Sequence, residues 1–281
     1  MSHFTVAVFS TDGDYEKLLA PFNENLEVEA YVDLCKEEVI EQFEDVKSQI
    51  LDRSDAFLVE KQEEMLSKGS SILEMSPKQF AKWYWDSDLN EEGALMTTYN
   101  PNSKWDWYVV GGRWSGMLIV KDDAEGERGS LGVFGYDREK ESPVPTGYRC
   151  VDHAKVSDIE WDVMREVELQ EKKMLWKKYM TEYAEKMLHA KTEEEKESER
   201  RWLLMTYGMR SDVTEEKYLD NSTGFTTFAV ITPDGAWHER GAMGWFGIVQ
   251  GEEDDWAERY KERFLDTADP DWYLTVVDCH I

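Results

Sequence analysis

Strand-forming sequence at both ends of the chain constrains its fold more than any other feature. In Ser2-His3-Phe4-Thr5-Val6-Ala7-Val8-Phe9, alternation puts Phe4, Val6 and Val8 on one face and His3, Thr5 and Ala7 on the other. Trp272 to Ile281 is equally rich in strand formers and follows the turn signal Asp269-Pro270-Asp271. A chain whose first and last segments both pair in one sheet closes on itself. The expectation is therefore a single α+β domain over 1–281. Its central, mostly antiparallel β-sheet contains both terminal segments, and long helical insertions pack on it or project from it. One insertion is expected at about 156–210.

The intervening residues supply the helices and the remaining strands. Val39, Ile40, Phe43, Val46 and Ile50 recur at helical spacing among glutamates and lysines that read as solvated faces. Ser76 as cap and Pro77 in first position start a helix carrying Phe80, Trp83 and Tyr84. Short strands are expected at Leu131–Tyr136 and Gly147–Asp152. Ser157 or Asp158 is expected to cap a long helix carrying Trp161, Met164, Val167 and Tyr179. Phe225–Thr232 predicts a strand, Pro233-Asp234-Gly235 a turn, and Ala236–Gly241 its partner, with Ala242–Ile248 following. Trp256–Leu265 has the pattern of an amphipathic helix.

The densest cluster of aromatics and glycine lies at Asn100–Val120. Two strand-like runs flank Gly111-Gly112, the pattern of a tight hairpin. In that register Val110 faces Arg113, Tyr108 faces Ser115 and Asp106 faces Met117. One face then carries Trp105, Trp107, Val109, Trp114, Leu118 and Val120 as core. The other presents Asp106, Tyr108, Arg113 and Ser115 beside Gly111 and Gly112. A one-residue slip would exchange the two sets. Arg113 on such a face can take a phosphate or carboxylate in bidentate fashion. The alternative is an Arg113–Asp106 ion pair on a half-exposed sheet.

Composition narrows the partners. A formal charge of −28 argues against direct nucleic-acid binding, which needs clustered cations to displace counterions. It permits a basic protein partner or mimicry of nucleic-acid charge, and solubility alone also accounts for it. Cys35, Cys150 and Cys279 form no CxxC pair, so neither a zinc site nor a disulfide framework is signalled, and reduced thiols of a cytoplasmic protein are expected. No secretory signal is expected. No stretch approaches the roughly 20 apolar residues that span a bilayer, so no membrane partner is expected.

Phosphate-loop, nucleophile-elbow and zincin motifs are missing, and no cofactor is implied. One constellation remains. If the first and last strands are antiparallel neighbours, His3, Asp278 and His280 meet at a sheet edge. With Arg113 they would form a general acid–base pair beside an anion clamp. Two histidines and a carboxylate can also hold a transition metal, or simply satisfy one another. Cys279 points away from His280 and is expected to be a buried, inert thiol. His153, His189 and His238 are expected at the surface.

Several stretches together resemble a family of uncharacterised bacteriophage and prophage proteins. They are Met1-Ser2-His3-Phe4-Thr5-Val6-Ala7-Val8, Leu19 to Glu29, Asn100 to Met117, Thr232 to Trp245 and Leu274 to Ile281. The resemblance implies an accessory protein in the host cytoplasm, a setting in which such proteins often act on host defence or metabolism, and it transfers no activity. The expected function is binding, either of a nucleotide-like or other anionic small molecule or of a host protein. The alternative is a hydrolase or transferase acting through His3, Asp278 and His280 with Arg113.

Overall fold

The computed structural model describes residues 2–132, 142–209, 212–220, 222–243, 249–251, 253 and 255–281. It divides into two compact units, residues 1–23 with 104–281, and residues 24–103. The fold is α+β.

The larger unit is built on strands β1 (His3–Ser10), β4 (Trp107–Gly112), β6 (Ser130–Leu131), β9 (Ala229–Ile231), β10 (Trp237–Glu239) and β13 (Tyr273–His280). They lie in the order β10-β9-β1-β13-β4-β6, and β8 (His153–Lys155) also pairs with β13. The two terminal strands are antiparallel neighbours at the centre, with His3 opposite His280 and Thr5 opposite Asp278. β1 runs parallel to β9, and β13 antiparallel to both β4 and β8. The Pro233-Asp234-Gly235 turn joins β9 to β10 as a hairpin, as its residues predict.

Alternation divides the core between the two faces of this sheet. Phe4, Val6, Val8, Val277 and Cys279 pack with Leu19, Phe22 and Trp105. Ala7, Phe9, Leu274 and Val276 pack under Leu118–Val120, Cys150, Met164, Val167 and Tyr260. Each fully buried Val or Phe contributes about 1.5–3 kcal/mol, which makes β1 and β13 the anchor of the unit. Strand β5 (Leu118–Lys121) pairs with β7 (Tyr148–Val151) as a separate ribbon. The long helix α5 (Trp161–His189) is preceded by α1 (Tyr15–Leu19) in this unit and followed by α6 (Glu193–Tyr207), α7 (Glu215–Asp220) and α8 (Trp256–Tyr260). Its N-cap is Glu160; Ser157 and Asp158 lie in a preceding 3₁₀ turn and do not cap it. The predicted helix at Trp256–Leu265 is α-helical to Tyr260 and then widens to a π-type turn, with Trp256, Tyr260 and Phe264 buried.

The smaller unit holds β2 (Tyr31–Leu34), α2 (Lys36–Leu51), α3 (Ala56–Ser67), α4 (Pro77–Tyr84) and β3 (Leu95–Thr97), with β2 antiparallel to β3. Val39, Phe43, Val46 and Ile50 are buried at the expected spacing, whereas Ile40 is exposed. Ser76 caps α4 through a reciprocal box: its hydroxyl accepts from the Gln79 amide, and Gln79 Oε1 accepts from the Ser76 amide. Of the strand expected at Leu131–Tyr136, residues 133–136 lie outside the described residues, as do 244–248 of Ala242–Ile248. Strands β11 (Ala242–Met243) and β12 (Val249–Gln250) pair antiparallel.

Candidate functional site

The hairpin expected at Gly111-Gly112 does not form. β4 pairs with β13 on one side and β6 on the other, and β5 pairs with β7. The two glycines instead allow the chain to press against two buried carboxylates. A Cβ on Gly111 would stand 2.6 Å from Asp152 Oδ2, and one on Gly112 would stand 2.4 Å from Asp278 Cβ. Both have positive φ, which a side chain resists. The segment then wraps these anions. Arg113 donates its amide to Asp278 Oδ2 at 2.9 Å. The Ser115 hydroxyl and the amides of Gly116 and Gly129 donate to Asp152 at 2.9, 2.5 and 2.9 Å.

The face assignment changes with the pairing. Tyr108 and Val110 pack with the Phe4–Cys279 cluster, whereas Trp107 is 45% exposed. Burial pushes the Tyr108 phenol up to about 12, and its ring meets Trp105 edge-on. Ser115, Gly111 and Gly112 are buried in structural contacts, and Arg113 is half-buried with its amide committed to Asp278. This segment therefore does not offer a sheet face carrying Asp106, Tyr108, Arg113 and Ser115 together.

Asp152 has a consequence for stability. Burial raises its carboxyl pKa even against its three donors. A folded-state pKa above the unfolded one means the native state holds the proton more tightly, so this group's stabilisation is greatest in acid and is lost as pH rises through the raised pKa. The urea midpoint of the wild type, measured relative to Asp152→Asn, should therefore fall as pH climbs from about 4. A difference that rises or stays flat would contradict this assignment.

The histidines do converge, though not at a sheet edge. His3 begins β1, His280 ends β13 and Trp107 begins β4, so three neighbouring strands meet at one end of the central sheet. His3 Nδ1 lies 2.8 Å from Asp278 Oδ1, and His280 Nδ1 lies 2.7 Å from Asp106 Oδ1. The two imidazoles are edge to face at 5.0 Å, and Trp107 stacks on His280 at 5.1 Å. A carboxylate on Nδ1 fixes the ring with a proton on that nitrogen, so that in the neutral imidazole Nε2 is the acceptor. The His280 side chain is only 9% exposed, and its Nε2 is buried without a hydrogen-bond partner. An orphaned buried ring nitrogen is rare enough to require explanation.

A cleft opens on the same face. About 310 Å³ in volume, it is lined by Thr5, Thr227, Phe228, Arg240, Glu253 and Trp256 among others. Thr5 is opposite Asp278 and two residues from His3, so strand parity places all three on one side of the sheet. Trp107 and Asp106 lie against His280, whereas Arg240 lines the cleft at Thr5. The exposed Trp107 could not be recognised from sequence without knowing which strand β4 joins.

Among the described residues, no group of three His, Cys, Asp or Glu side chains is arranged to hold a metal ion. Asp106 and Asp278 are spent in orienting imidazoles. No disulfide joins Cys35, Cys150 or Cys279; burial pushes the Cys279 thiol well up, and the nearby Asp278 and Asp106 charges add to this. His153 and His238 are only partly buried, and both have partners the sequence does not announce. His153 is half-buried, hydrogen-bonded to Thr275 and stacked on Tyr273, and burial lowers its pKa. His238 is held by Arg263, whereas His189 is exposed as expected. No helix among the described residues is long and apolar enough to cross a membrane. No protein-family model matches the chain, and no curated protein or solved structure matches it.

Proposed function

We propose that the protein is an accessory protein of the phage type that works by binding a small anionic, nucleotide-like molecule at the end of the central sheet where His3 and His280 meet, next to the cleft at Thr5. The observation that carries this reading is the orphaned Nε2 of His280, in a ring locked by Asp106 and placed beside the similarly locked His3. A donor reaching that nitrogen would satisfy it, the exposed indole of Trp107 on the same ring supplies a stacking surface at that end of the sheet, and Arg240 supplies a cation in the neighbouring cleft at Thr5. The resemblance of the terminal and central segments to phage and prophage proteins supplies the setting.

Acid–base catalysis is a second reading, favoured by the carboxylate on each Nδ1. That arrangement aims the other nitrogen as a proton acceptor or, once protonated, as a donor. One experiment separates the two. The protein is incubated with a mixed nucleotide pool, washed, denatured and extracted for mass spectrometry. Recovery of an unaltered nucleotide supports binding, and an altered one supports catalysis. Retention of nothing overturns both and leaves a host protein as the target.

Trp107→Ala should reduce retention at least about tenfold. Being half-exposed, the indole should cost less than about 1 kcal/mol of stability when removed. Unchanged retention by a folded Trp107→Ala protein would remove the stacking surface from the reading.

A further inference from the structure

Thr232, Pro233, Asp234 and His238 belong to a different cleft, at the other end of the sheet. Phe9 lines it, six residues along β1 from His3 and so roughly 20 Å away. The cleft is about 440 Å³, with Phe9, Pro233, Phe264 and Trp272 as apolar wall and Thr232, Asp234, His238 and Arg263 as polar groups. That volume lies within the usual range for small-molecule sites.

Arg263 is held in an unusual way for a chain carrying 60 acidic residues. Among the described residues, its guanidinium donates from Nη2 to His238 Nδ1 at 2.8 Å, an imidazole and not a carboxylate. Guanidinium only donates, so His238 Nδ1 must accept and the imidazole must be neutral, with its proton on Nε2. That nitrogen faces Thr232 Oγ1 at 3.4 Å, and the Thr232 hydroxyl donates to Asp234 Oδ1 at 2.6 Å. Burial, and then the Arg263 charge, lower the pKa of His238 and keep the ring neutral. The guanidinium also lies over the Phe264 ring at 5.1 Å. The nearby Asp266 is taken by Lys261, and Asp234 by the Thr232 hydroxyl and the Ala236 amide. His238 thus orients a cation without neutralising it, above an aromatic wall.

We propose that this cleft is a second binding site, for a small organic anion with an aromatic body. Its charged group meets the remaining N–H donors of Arg263, and its ring lies against Phe264 and Trp272. The site stands apart from the cleft at Thr5.

Phenyl phosphate is the probe, with inorganic phosphate and benzyl alcohol as the anion-only and ring-only controls. Binding is read from the indole N–H resonance of Trp272, assigned with Trp272→Phe. Phenyl phosphate should shift that resonance saturably and bind at least about tenfold more tightly than either control. Arg263→Gln should weaken it at least about tenfold, with Arg263→Lys recovering only part because a point charge lacks the planar fork. His238→Gln should weaken it less, by loosening the guanidinium. Equal affinity for benzyl alcohol, an unchanged Arg263→Gln protein, or no shift up to about 10 mM phenyl phosphate would each overturn the proposal.

Discussion

Gly112→Ala is expected to lower the melting temperature by roughly 6–12 °C, which corresponds to about 3 kcal/mol in a chain of this size. The new Cβ would lie 2.4 Å from both Cβ and Oδ2 of Asp278, a group that cannot retreat because it is 1% exposed. It would also impose a left-handed backbone, φ 56°, on a residue with a side chain. Moving Asp278 aside would break its bonds to His3 and to the Arg113 amide, so strain and lost hydrogen bonds combine. Gly235→Ala is the control. It too has positive φ, 82°, but nothing lies within 4 Å of its Cβ position, so only the backbone penalty of about 1 kcal/mol applies. Equal losses for the two substitutions, measured by calorimetry, would refute the packing of Gly112 on Asp278.

The second large effect is expected at Asp278 itself. Asp278→Ala should destabilise the protein by about 3–5 kcal/mol, because a buried donor pair loses its shared acceptor. His3 Nδ1 and the Arg113 amide both depend on that carboxylate. A cycle with His3→Ala isolates the imidazole's share, and a coupling of about 1–3 kcal/mol is expected from urea titrations. Ligand retention should fall in the same variants, since His3 loses the group that fixes its ring. Additive losses in the cycle would mean that the His3–Asp278 contact contributes nothing, and the site would lose its orienting element.

How far the site was legible differs from residue to residue. His3, Asp278 and His280 could be brought together on paper because each lies on a strand whose alternation is a local property. One assumption, antiparallel pairing of the terminal strands, was enough, and the register confirms it. Asp106 was in view as a ligand group but not as the partner of His280, since that contact depends on β4 joining β13. The Gly111-Gly112 pair suits a hairpin or a close approach equally well. Only the positions of Asp152 and Asp278, both remote in sequence, distinguish the two. His238 offered no local sign of its tie to Arg263, which comes from a helix following two further strands.

The sequence by itself determined the α+β class, the pairing of both terminal strands in one sheet, the caps and turns at Ser76 and Pro233–Gly235, and the shared face of His3 and Asp278. These follow from backbone periodicity and from hydrogen bonds between near neighbours. Tertiary structure alone decided that β4 leaves β5 for β13, that two carboxylates are buried under glycine, and that Trp107 faces water. Those outcomes depend on which distant donors and apolar surfaces compete for the same strand, and no local pattern encodes that competition.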